Sequence, residues 1–254
     1  MTAPAHLLID LLAARDGIVC AVGAGGKKSV LYHLIREHPG RVALTATVHT
    51  TEFPEDLPIE QIVDDEVMLR DRVLAAEPSR SVGYACLSQK AGRHAGVPAA
   101  TIRSIHDEGR FAATFVKADG ARMRWIKAPK TGEPMMVPGA DTVVPVISAR
   151  VIGEPLSERV AHRIEQVEAI TGVARGMPLT PEAVARLMVS EEGALHLTGG
   201  ARVVPVINMV DNARQEEMAR AAATAAIVMT SRFDRVVLCC LRRTSGPVVA
   251  VVTR

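Results

Sequence analysis

The stretch Ile18-Val19-Cys20-Ala21-Val22-Gly23-Ala24-Gly25-Gly26-Lys27-Lys28-Ser29 constrains this chain more than any other. An apolar run breaks into a glycine cluster, two lysines and a serine, and apolar residues of helical spacing follow at Val30, Leu31, Leu34 and Ile35. The order reads as a buried strand, a tight turn and a helix start. Glycines let backbone N–H groups converge on an anion, the helix N-terminus adds partial positive charge, and a lysine reaches outer phosphates. Gly23, Ala24, Gly25, Gly26, Lys27, Lys28 and Ser29 are therefore read as a phosphate cradle for a nucleotide or another small phosphorylated ligand. The competing reading is a glycine turn made for close packing alone.

The register of that turn is incomplete. Against the phosphate-loop pattern G-x-x-x-x-G-K-[ST], Gly26-Lys27 fits the glycine–lysine pair. Ala21 then replaces the first glycine, and Lys28 stands where a hydroxyl would hold Mg²⁺. Sliding by one residue places Lys28-Ser29 correctly but puts Lys27 on a glycine position and Val22 on the first.

A chain of 254 residues with 48% hydrophobic residues can bury a large core. A net charge of +2 gives no reason to expect nucleic acid or an anionic membrane as partner. The four cysteines have neither disulfide-rich nor zinc-like spacing. Leu7, Leu8, Ile9, Leu11 and Leu12 are interrupted by Asp10, which suggests an amphipathic helix rather than a membrane span, and a soluble, reducing, cytoplasmic setting.

Strand-like runs recur at Ile18–Val22, Arg41–Thr47, Ser81–Leu87, Phe111–Lys117, Thr142–Ser148, Val203–Met209, Arg235–Leu241 and Val248–Val252. Helical patterns lie between several of them, at Glu66–Glu77, Pro155–Ala169, after Thr180-Pro181-Glu182, and at Asn212–Met229. The alternation predicts an α/β fold, a mostly parallel sheet with helices on both faces. Arg242–Pro247 reads as the turn of a C-terminal hairpin. One domain over 1–254 is expected, with room for a small insert at 88–110.

In such a sheet, ligands sit beyond the carboxyl ends of the strands. Thr45, Thr47 and His49 alternate past the second strand, so two hydroxyls and an imidazole face a pocket or simply end a polar strand. Asp119 directly follows an apolar strand, where phosphate-loop enzymes place a carboxylate for Mg²⁺, although Asp119-Gly120 is also a strong turn dipeptide. Asn208-Met209-Val210-Asp211 resembles the N-K-x-D base-reading element of GTP-binding proteins, with Asp211 or Asn212 also available as a helix cap.

Together these segments resemble the YqeC family, whose members are accessory factors for selenium-dependent molybdenum hydroxylases or their selenium cofactor. Val22-Gly23-Ala24-Gly25-Gly26-Lys27 is similar to that family's V-G-A-G-G-K-T opening, and Thr45-Ala46-Thr47-Val48-His49 to its T-T-T-T-H. Ala118-Asp119-Gly120-Ala121-Arg122, Lys127-Ala128-Pro129 and Glu133-Pro134 resemble its A-D-G-A-R…K-A-P…E-P signature. Gly153-Glu154-Pro155-Leu156 and His162-Arg163 follow in order, so the resemblance spans nearly the whole chain. It implies a P-loop-NTPase-like fold and ATP or GTP as ligand. Asp119 would be the catalytic or metal-binding carboxylate. Thr47, His49, Arg122, Lys127, His162 and Arg163 would hold a second, anionic substrate, and Asn208 and Asp211 would contact the nucleotide. A molybdenum hydroxylase or a cofactor-maturation protein is the implied partner.

Two departures alter the expected chemistry. Lys28 replaces the family's threonine, and Lys117 replaces an acid two positions before Asp119. Both changes add positive charge where a metal would sit, so magnesium is disfavoured and nucleotide hydrolysis is expected to be weak or absent. Lysines that point outward into solvent would cancel this argument. The alternatives are a non-hydrolysing anion-binding scaffold and a kinase or ligase of another cofactor pathway.

Overall fold

A computed structural model describes residues 7–243 and 245–254. Its centre is a 10-stranded sheet. The long strands are β1 (Gly17–Gly23), β2 (Val42–Ala46), β3 (Glu60–Asp64), β4 (Val82–Cys86), β5 (Ala113–Lys117), β6 (Thr142–Ser148), β7 (Val206–Asn208), β8 (Arg235–Cys239) and β9 (Val248–Thr253). Their spatial order is β9-β8-β7-β6-β1-β5-β2-β4-β3, with the two-residue strand Arg202–Val203 also on β6. Every pairing is parallel except β8 with β9, the expected C-terminal hairpin. Thr244, in the turn of that hairpin, lies outside the described residues, as do residues 1–6.

The helices are α1 (Lys27–Glu37), α2 (Glu66–Leu74), α3 (Ala99–Glu108), α4 (Ile164–Thr171), α5 (Pro181–Val189) and α6 (Ala213–Met229). Strand alternation sorts them onto two faces. Val19, Ala21, Phe115, Val144 and Val146 face Val30, Leu31, Leu34 and Ile35 of α1. The single helical turn Leu8–Leu11 joins them there, which is what remains of the expected N-terminal amphipathic helix. On the opposite face, Ile18, Cys20, Val116 and Val143 pack on Leu69 and Val73 of α2 and on Ile102 and Ile105 of α3. Farther along that face, Ile147, Ile207, Val236 and Leu238 meet α5 and the alanines Ala219, Ala222, Ala223 and Ala226 of α6. Small side chains let α6 lie close to the sheet.

Capping follows the sequence. Thr180 accepts from Ala183 N at the start of α5, with Pro181 in the first turn. Asn212 accepts from Gln215 N at the start of α6, and Gln215 Oε1 accepts in return from Asp211 N, a reciprocal box.

One helix is shorter than its periodicity predicts. Of the expected Pro155–Ala169 helix only the part from Ile164 onward is helical, and that helix runs on to Thr171. Before it, Pro155 bridges to Pro178, and Ala161–His162 pairs in parallel with Ile126–Lys127. Leu156, Val160 and Ile164 imitate helical spacing because an irregular segment buries all three in the same core. Two further elements lie outside the runs named above, the strand β3 and the helix α3, which buries Ile102 and Ile105. β3 is a polar sheet edge, and α3 comes from within 88–110.

β1 lies between β5 and β6, so the chain diverges to both sides beyond its carboxyl end, which opens a crevice there. Gly25 occupies that point at φ +90°, and a Cβ on it would lie 2.4 Å from Ser148 N of β6. Gly25→Ala therefore meets backbone that cannot step aside. A loss of about 2 kcal/mol or more is expected in urea denaturation. An alanine variant as stable as the parent would mean that the loop and β6 are not held in this contact.

Candidate phosphate-binding site

The glycine turn is walled by two strand ends. Gly23 and Gly25 press against the backbone of β6, and Ala24 N donates to Val146 O at 2.8 Å. Asn208, at the end of β7, donates through Nδ2 to Gly25 O at 2.9 Å and accepts from Leu241 N at 3.3 Å. Gly26, at φ +118°, ends the turn, and the first helical bond of α1 runs from Val30 N to Gly26 O. No side chain caps α1, and no acid stands in its first turn. The first-turn N–H groups at Lys27, Lys28 and Ser29 therefore keep their donor capacity, reinforced by the helix dipole.

Below the turn lies a buried ionic cluster. Asp119 Oδ2 accepts from Gly23 N at 3.0 Å and from Lys127 Nζ at 2.9 Å. Lys27 Nζ forms an ion pair with Asp119 Oδ1 at 2.8 Å and donates to Gly23 O. Lys127 Nζ also donates to Gly120 O at 2.7 Å and lies 2.8 Å from Glu133 Oε2. Glu133 in turn holds Arg163 at 2.6 Å. Burial alone would push the Asp119 carboxyl up, but Lys27 and Lys127 outweigh it and hold the group below the usual carboxylate range. Burial pushes the Lys27 ammonium down, and Asp119 offsets part of that.

The mouth of the site has a different balance. Lys117 is half-buried at the end of β5 and donates to His49 O at 2.8 Å. Lys28 donates to Thr51 Oγ1 at 2.7 Å. Neither has a carboxylate partner among the described residues. Burial, followed by the charge of Lys27, pushes Lys117 down to about 7; Asp119 opposes this in part, and Lys28 and Lys127 add to it. Burial also lowers Lys28, with Arg93 assisting. The cluster is short of negative charge, which favours an anion at its mouth.

The remaining sequence-predicted residues separate into three groups. Arg163 joins the cluster through Glu133. His162 beside it is pushed down to about 4, first by burial and then by Arg163, Lys127 and Arg122. Arg122 is exposed at the rim with φ +46°. Thr45 and Thr47 are buried with unpartnered hydroxyls, whereas the His49 side chain is exposed. The expected alternation through His49 fails because β2 ends at Ala46 and the chain bends at Thr47–Val48. Asp211 is held by Arg150 at 2.6 Å, Arg242 at 3.1 Å and Cys240 Sγ at 3.2 Å, on the far side of Asn208 in sequence from the loop contact. Glu133 is the site residue that sequence reasoning left unassigned, and its place in the E-P element of the signature was the available signal.

The family model described as YqeC protein matches residues 19–165, a span holding the glycine turn, Asp119, Lys127, Glu133 and Arg163. An uncharacterized protein YqeC from Escherichia coli (strain K12) is 29% identical over 210 residues, covering 80% of this chain and 77% of the relative.

Two stability effects follow from the cluster. Asp119→Ala leaves Lys27 charged and buried with no carboxylate, so a loss of about 3–5 kcal/mol is expected at neutral pH. The folded variant releases that proton more readily than the unfolded chain, so the deficit shrinks as pH rises toward 9.5. An equal deficit in urea denaturation at both pH values would rule out the ionic explanation. Lys117 loses its proton near 7 when folded and about 10.4 when unfolded. The parent therefore gains stability as pH rises between those values, and below them it bears the full cost of a crowded ammonium. Lys117→Met should raise the Tm by a few degrees at about pH 6 and much less at about pH 9.5. A gain independent of pH would show that the effect is packing.

Proposed function

From the premise that this chain belongs to the YqeC family, we propose that it binds the phosphate groups of ATP or GTP over the Gly23–Ser29 turn. In this reading it serves the maturation of a selenium-dependent molybdenum hydroxylase or its cofactor, with a protein of that pathway as partner. The observation that carries the reading is the uncapped N-terminus of α1 beside a lysine cluster with too few carboxylates. Backbone N–H groups of the turn would take phosphate oxygens, Lys28 and Lys117 would neutralise them, and Lys27 would hold the turn in shape. Lys127, Arg163 and Arg122 would supply positive charge for an anionic second substrate, with His162, pushed down to about 4, as a neutral hydrogen-bonding group beside them.

Magnesium does not suit this donor set. Both Asp119 oxygens face lysine nitrogens, and Oδ2 also accepts from the turn backbone. Lys28 offers an ammonium where an octahedral Mg²⁺ needs an oxygen. Among the described residues no group of three His, Cys, Asp or Glu could hold a metal. The reading is accordingly a nucleotide-binding protein with slow or no hydrolysis, in which fixed ammonium groups supply the charge compensation.

Calorimetric titration with ATP and GTP, each in excess magnesium and in chelator, tests this. Binding is expected to persist in chelator and to weaken roughly tenfold in Lys28→Ala. Lys28 is the cleaner probe because removing Lys27 would also orphan Asp119. The double change Lys28→Thr with Lys117→Glu should make binding magnesium-dependent. Absence of binding by either nucleotide would overturn the reading, and binding that requires magnesium in the parent would overturn its metal-free form.

A further inference from the structure

Both mouth lysines are bonded to one short segment of chain. Lys117 donates to His49 O at 2.8 Å, and Lys28 donates to Thr51 Oγ1 at 2.7 Å. Thr50–Thr51 is one strand of an antiparallel ribbon whose other strand is Arg93–His94, with Thr50 opposite His94 and Thr51 opposite Arg93. Residues directly opposite each other in such a pair project from the same face. The face that offers the Thr51 hydroxyl to Lys28 therefore also carries Arg93. After burial, the charge of Arg93 is what lowers the Lys28 ammonium.

The ribbon is fixed to the sheet. Ala95 N donates to Cys86 O at 2.9 Å at the end of β4, and Val97 N donates to Ala46 O at 2.8 Å at the end of β2. Gly96 lies between these two bonds, where a Cβ would run into the Thr47 backbone. The His94 ring packs on the buried Phe53 with 5.0 Å between centroids. The backbone beneath Arg93 is thus set by the fold. Its side chain is exposed, and its guanidinium has neither an ion pair nor a hydrogen bond among the described residues.

On the premise that the Gly23–Ser29 turn binds phosphate, we propose that Arg93 is a further phosphate-binding residue, which makes the site selective for a polyphosphate chain over a single phosphate. Lys28 stretches from the first turn of α1 to the ribbon, so donors run from the turn N–H groups along a whole lysine side chain to Arg93. That side chain is longer than the step between linked phosphates. A lone phosphate seated on the turn leaves the ribbon face unused, whereas a longer chain reaches it. A single phosphate also brings a charge of only about −2 at neutral pH. Each added phosphate supplies more negative charge to two cations, Lys28 and Arg93, that have no carboxylate partner. The planar guanidinium suits this role because it can donate to two phosphate oxygens at once.

The test is calorimetry in chelator with the mono-, di- and triphosphates of adenosine and guanosine and with inorganic tripolyphosphate. It compares the parent with Arg93→Ala, Arg93→Lys and Arg80→Ala. Arg80 is a charge control, exposed just before β4 and so at the opposite end of that strand from the ribbon. Because Arg93 is exposed and unbonded, its removal leaves the ribbon bonds in place. In the parent, affinity is expected to rise with the number of phosphates. Arg93→Ala should weaken the triphosphate and tripolyphosphate roughly tenfold and leave the monophosphate unchanged. Arg93→Lys should recover part of the loss, and Arg80→Ala should change nothing. An equal loss for mono- and triphosphate, an unaltered triphosphate, or the same loss in Arg80→Ala would overturn the proposal. A parent that binds tripolyphosphate through Arg93 but neither nucleotide series would overturn the nucleotide reading and uphold this one. A parent that binds none of these ligands would overturn both.

Discussion

Asp119 lies below the glycine turn with its two oxygens turned toward Lys27 and Lys127 and a bond from Gly23 N. Nearly everything about the site depends on that carboxylate. It fixes the start of the turn against the end of β5, and it compensates a lysine from α1 and another from the segment after β5. Without it, two nearly fully buried ammonium groups would face each other in a medium that screens poorly. Glu133 extends the network to Arg163, so four elements of different sequence position are locked by alternating charge.

Locking has a consequence for chemistry. A carboxylate engaged by two ammonium groups is a weak proton acceptor and a poor metal ligand, whatever its position in the fold. The reactive balance of the crevice shifts from its floor to its mouth, where Lys28 and Lys117 have neutral oxygen partners. Charge at the mouth is free to answer to pH, whereas charge at the floor is tied into the fold.

Much of this was legible in the residues. β1, its glycine turn and α1 follow from apolar runs, glycines and helical spacing, and the two-sided packing follows from alternation in buried strands. Lys28 and Lys117 were readable as charge added near Asp119. Strand order was not readable, because nothing local in β5 or β6 specifies that each flanks β1. The burial of Lys127 was hidden for the same reason. A lysine in a polar, proline-bounded loop reads as solvated, and only the return of that loop beneath Asp119 buries it. Asn208 carried a base-reading resemblance, yet its amide holds Gly25 O and Leu241 N, a role set by β7 lying beside β6. The end of β2 misled through His49 because a bend, invisible in composition, interrupts the alternation.

The distance in sequence between the partners of Lys27 also bears on how the protein comes into being. During synthesis from the N-terminus, the glycine turn leaves the ribosome long before Asp119, and Gly23 and Asp119 are 96 residues apart. Until that later segment arrives, Lys27 has no buried carboxylate to meet, and β1 has neither of its sheet neighbours. Parallel pairings of this range close slowly because chain entropy is lost before contacts compensate it. The nascent half-chain therefore carries an open glycine turn with solvated lysines, and the buried ionic cluster comes into existence only as the second half of the sheet is threaded around it.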